Sequence, residues 1–130
     1  MLFAAHSGLR FLVLLAGLFV VLYALVGFFG KREYSTAMGR LAAVFTGLLH
    51  LQVLTGVAVL FTRPFYNSII GHLFLMLLAA AVAQLTSSVV KRRPQEEKTY
   101  GPHLVGAVVA LGLVAAGILA IGRGVLQSTM

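Results

Sequence analysis

The chain has 130 residues, 60% of them hydrophobic and 10% charged, with a mean hydropathy of +1.00; these proportions exclude a soluble globular domain and indicate a polytopic membrane protein with room for four spans and no extramembrane domain. The formal net charge of +7 does not point to nucleic acid, because the basic residues sit in two short loops between apolar runs, where membrane topology is set. The absence of Cys excludes disulfides, thiolate metal sites and cysteine nucleophiles.

The first predicted span covers 2–29 and opens on His6-Ser7-Gly8-Leu9-Arg10. It lacks a basic leader, runs past the length of a signal-peptide core and shows no small-residue cleavage site before Lys31-Arg32, so it is expected to stay in the membrane. Ser35 or Thr36 is the expected N-cap of the second span, 38–61, which Thr62-Arg63-Pro64 ends because proline disfavours helical geometry in the residue before it. The third span is expected over 67–90. The hydrophilic run Lys91–Lys98 follows it, and Gly101-Pro102 opens the fourth span, 102–123. The whole chain, 1–130, thus reads as one all-α domain, an integral membrane four-helix bundle.

Loop charge sets the expected orientation. Lys31, Arg32, Arg40, Lys91, Arg92, Arg93 and Lys98 fall on one side, and only Arg63 and Arg123 on the other. The positive-inside rule then puts both basic loops in the cytoplasm and both termini outside, N-out and C-out.

Each span carries one histidine. At 1.5 Å rise per residue, His6 and His72 lie roughly 5–10 Å below the outer boundary and His50 about 16 Å from either side. His103 stands at the inner mouth of the fourth span. His6, Arg10, Val13, Gly17 and Ala24 form one stripe of the first helix. Small residues (Ala79, Ala80, Ala83, with Met76 and Ser87) lie along the stripe beneath His72. Thr46 and His50 are expected to share a face from which Gln52 points away. Gly112, Ala116, Ala120 and Gly124 make a small-residue ridge expected at a helix or subunit contact.

Two imidazoles at matching depth on different helices are the minimum for bis-histidine haem b ligation, with His6 and His72 as the metal ligands. No Asp or Glu falls in any predicted span, so a haem propionate is a fitting anion for Arg10. A quinone carbonyl near His50, Thr46 or Arg10 is a second use of the same donors. Plainer readings stand beside these. His103, and His6 taken alone, read as wet interfacial imidazoles, and Arg10 has the option of snorkelling to lipid phosphate. His50 can bond Thr46 or a backbone carbonyl, and the alanine face of the third span can be close helix packing.

The pattern His6-Ser7-Gly8-Leu9-Arg10, with His50-Leu51-Gln52 followed by Gly56 and with His72-Leu73-Phe74-Leu75-Met76, resembles a family of small four-span cytochrome b-like membrane proteins common in Bacteroidetes. The chain departs from that pattern at Gly71, where an acidic residue is expected, and in the glycine and alanine richness of its fourth span. The resemblance implies a haem b-binding electron-transfer subunit of a larger bacterial membrane complex, quinone-linked and in the inner membrane, with His6, His72, Arg10 and His50 as the cofactor-binding residues. The alternative is a cofactor-free accessory or assembly subunit of a respiratory or photosynthetic complex. A transporter with His6, Arg10 and His50 along its path comes third. The expected partners are the lipid bilayer and other membrane subunits or further copies of the chain, not nucleic acid.

Overall fold

In the computed structural model, residues 2–62 and 68–120 are described, those at 2–4, 68 and 120 by backbone alone. Arg63 and Arg123 lie outside the described residues, as does the expected fourth span beyond Ala120.

Four helices make up the described chain: α1 (Leu2–Phe29), α2 (Thr36–Leu60), α3 (Ser68–Arg92) and α4 (Gly101–Ala120), with a single 3-10 turn at Gln95–Glu97. Each is long and apolar enough to cross a membrane. The protein is a multi-pass membrane protein built as a four-helix bundle.

Local chemistry sets the helix ends. Past Phe29, the Arg32 amide reaches back to the Gly27 carbonyl at 3.0 Å, which requires a left-handed residue between them, and Lys31 takes it with φ 50°. Ser35 caps α2 from extended backbone, its hydroxyl accepting from the Met38 amide. That start lies two residues before the expected one. Helix α3 runs on through Lys91 and Arg92, whose charges favour a helix C-terminus. Pro102 sits in the first turn of α4, where its missing N–H costs nothing.

Short connections make neighbours antiparallel, and the helices pack in a ring. The closest pairs are α1 with α2 and α3 with α4, closed by α2 on α3 and α1 on α4. The interior holds Val13, Val20 and Ala24 of α1, Met38, Phe45 and Leu49 of α2, the alanines 79, 80 and 83 of α3, and Ala107, Ala110 and Val114 of α4. Outward, Leu12, Phe19, Phe61, Phe74 and Leu85 are exposed, which suits a lipid-facing wall. Lipid is as apolar as the core, so close packing and interhelical hydrogen bonds must hold the bundle. Gly17 supplies the first: a Cβ there would stand 2.5 Å from Leu111 and 2.9 Å from Phe45. The Thr46 hydroxyl, donating to the Ala83 carbonyl, contributes to the second.

One sequence expectation changes. Gln52 is buried and turned inward while His50 is exposed on the outer surface, so Thr46, which is buried, does not share an inward face with His50. His50 and Gln52 lie about 200° apart on a helical wheel. Gly112 and Ala116 are exposed, and a Cβ built on Gly112 meets nothing within 4 Å, so of the two expected uses of the ridge a subunit contact is the one left open at Gly112. Ala120 is described by backbone alone and Gly124 is not described.

Candidate functional site

At the end of the bundle where α1 and α3 begin, the His6 and His72 side chains enter a shared layer. Each is half-buried, and His6 lies within electrostatic reach of both His72 and Arg10. Arg10, one turn along the same face, is 4% exposed, its guanidinium 4.6 Å from the centre of the Phe11 ring.

Both rings are held through Nδ1. His72 Nδ1 lies 2.7 Å from the Gly117 carbonyl of α4. A carbonyl only accepts, so Nδ1 carries the hydrogen. His6 Nδ1 lies 2.8 Å from Thr55 Oγ1 of α2. The Thr55 hydroxyl has one hydrogen, and it is given to the Gln52 carbonyl at 3.0 Å. With its hydrogen on that carbonyl, Thr55 Oγ1 accepts and His6 Nδ1 donates. In the neutral rings Nε2 then bears the lone pair. Donation of the far ring N–H to a fixed acceptor is the arrangement that orients a histidine for metal ligation.

Glycines make room for each ring. His6 packs on Gly56 of α2, where a Cβ would stand 2.9 Å from Cε1. Gly117 of α4 lies under Met76 and His72, a Cβ there meeting Met76 Sδ at 3.2 Å and His72 Nδ1 at 3.6 Å. Gln52 completes the support, its amide donating to the His6 carbonyl at 2.9 Å. That bond fixes the amide's orientation, since the opposite one would set two carbonyl oxygens together. Gln52 Oε1 is left buried, with no hydrogen-bond partner among the described residues.

What the layer offers is two imidazole rings, one from α1 and one from α3. Among the described residues no cluster of three or more His, Cys, Asp or Glu is placed to hold a bare metal ion. A metal held here would bring most of its own coordination, as iron in a porphyrin does when two axial ligands come from protein.

The other histidines stand elsewhere. His50 faces outward from α2, its Nε2 2.8 Å from Gln84 Oε1 of α3. Three of the four expected cofactor residues (His6, Arg10 and His72) thus come together, and His50 does not join them.

His103 is not the wet imidazole expected from its place at a helix end. It is 3% exposed; its Nε2 bonds the Tyr34 hydroxyl at 2.7 Å, and the two rings stack with 5.6 Å between centroids. Around this pair the Tyr100 hydroxyl donates to the Glu33 carbonyl and accepts from the Ser35 amide. Gln95 reaches across from the other loop to the Tyr34 carbonyl. Tyr23 bonds Ser35 at 2.8 Å. Sequence reasoning missed this layer, although Tyr34 and Tyr100 both flank the basic loops and so end at the same side of the membrane. A groove of about 330 Å³ opens beside it, walled by Phe19, Leu22, Val26 and Leu41 with Arg32 at its edge; none of the histidines lines it.

No protein-family model, curated protein or solved structure matches the chain.

Proposed function

We propose that the chain is a haem b-binding electron-transfer subunit of a larger bacterial membrane assembly, with His6 and His72 as the axial ligands. One observation carries this reading: two imidazoles on different helices are each held through Nδ1, by Thr55 and by the Gly117 carbonyl, leaving both Nε2 atoms for a metal. A bound haem would supply a one-electron carrier within the membrane. The rest is the work of this chain's residues. Thr55 and the Gly117 carbonyl hold the rings in the ligating tautomer, and Gly56 and Gly117 let them seat against helix backbone. Arg10 places a cation in the same layer, where a propionate would meet it. The cytochrome b-like resemblance of the histidine motifs supports the same reading. So does the loop-charge asymmetry, which fits insertion in a bacterial inner membrane with both termini outside. A membrane quinone is the fitting electron partner for a carrier enclosed by four spans.

Purification in mild detergent from haem-replete cells tests the proposal. The dithionite-reduced protein should show low-spin b-type absorption. His6→Ala and His72→Ala should each abolish it or convert it to high spin, and His103→Ala should leave it intact. Wild-type protein without haem absorption, or an unaltered spectrum in both ligand variants, overturns the proposal.

A further inference from the structure

The outer surface of the α2–α3 seam carries polar groups where lipid is expected. His50 and Gln84 are both exposed, and His50 sits about 15 Å from the C-terminal end of α2 at 1.5 Å per residue, deep in the hydrocarbon. Their hydrogens can be assigned. Gln84 Nε2 donates to Ser88 Oγ at 2.8 Å, which turns Gln84 Oε1 toward His50 Nε2 at 2.8 Å. The oxygen accepts, so His50 Nε2 donates, and in the neutral ring Nδ1 keeps its lone pair. The pair thus presents one acceptor, His50 Nδ1, beside one donor, the second Gln84 N–H. Neither makes a further hydrogen bond within the described chain. Polar atoms left so in hydrocarbon are costly.

We infer that this face is a contact between two copies of the chain related by a twofold axis. An isologous contact needs a self-complementary patch, and an acceptor beside a donor is one: His50 Nδ1 of each copy accepts from the Gln84 amide of the other. Lipid acyl chains supply neither group, and headgroups lie too far along the helix. The surface beside the pair is also low enough for close approach. Ala43 and Gly47 fall on the His50 stripe of α2, and Ala81 on the Gln84 stripe of α3, all exposed. A Cβ built on Gly47 meets nothing within 4 Å. The inference is independent of what the His6–His72 layer binds.

Because the chain contains no Cys, single-cysteine cross-linking has no internal background. Gly47→Cys protein, oxidised in its own membranes with copper–phenanthroline, should form a disulfide-linked dimer of twice the 13.8 kDa chain mass. Val109→Cys, exposed on α4, should remain monomeric. Adding His50→Leu to Gly47→Cys should slow cross-linking at least about threefold, as loss of interhelical hydrogen bonds predicts. The inference is overturned if helical Gly47→Cys protein cross-links no faster than Val109→Cys or couples to a chain of different mass. It is equally overturned if His50→Leu leaves the rate unchanged.

Discussion

The two ends of the bundle use histidine in opposite ways. Where α1 and α3 begin, His6 and His72 commit Nδ1 to the scaffold and leave Nε2 uncommitted. Where α4 begins, His103 has Nε2 taken by the Tyr34 hydroxyl, the two ring planes lying within 22° of each other. Burial does not separate the two cases, since His103 is the most deeply buried of the three. The separation comes from which ring nitrogen the fold consumes. One end leaves ring nitrogens to which the proposed ligand would bind, and the other is a latch that joins the α1–α2 connection to α4.

The largest expected effects come from filling the glycine under each end. Gly56→Val should force the His6 ring off α2, because its Cβ would arrive 2.9 Å from Cε1, and the haem absorption should be lost. Gly27→Ala at the latch brings a Cβ within 2.6 Å of the Tyr100 ring. That should lower thermal stability by about 1–3 kcal/mol while the spectrum persists. A spectrum lost in both variants would erase the distinction between the ends.

A subtler change sharpens it. Thr55→Val keeps the side-chain shape and removes the acceptor of His6 Nδ1–H. Haem affinity should fall about 10- to 100-fold, the usual cost of losing a partner behind a metal-ligating histidine, as measured by haem transfer to a competing apoprotein. Unchanged affinity would mean that Thr55 does not orient the ring.

The smallest effect is a pH dependence confined to the latch. Burial, with Tyr100 adding to it, holds the Tyr34 phenol above its ordinary value of 10.0. Being raised in the folded state, this group contributes stability that is fully present below pH 10.0 and is lost as pH rises through the folded-state value. Thermal stability should therefore decline above that pH, and the decline should be smaller in Tyr34→Phe, followed alongside tyrosinate absorbance. An identical decline in the variant would assign the effect to another group.

The spans were legible because hydropathy alone marks them, and the inward stripe of α1 was legible because His6, Arg10, Val13 and Gly17 recur at helical spacing. The rotation of α2 was not. A helix apolar on all sides carries no moment to orient it, so nothing in the sequence distinguished His50 outward from His50 inward, or showed that Gln52 on the opposite side faces the core. Gly56 was visible as part of a motif, but its role as the seat of His6 depends on how α1 packs on α2. His103 read as wet because its partner, Tyr34, is 69 residues away and no local pattern links them.

The hydrogen bonds that fix the two imidazoles also divide the molecule into halves. His6 is fastened to Thr55 and Gln52 within the α1–α2 hairpin, and His72 to Gly117 within the α3–α4 hairpin. Each hairpin thus carries its own clasp, and those two pairs are the closest packed in the ring. The Nε2 atoms belong to different hairpins. A ligand spanning them is therefore a rivet between two self-fastened halves, and its binding energy adds directly to their cohesion.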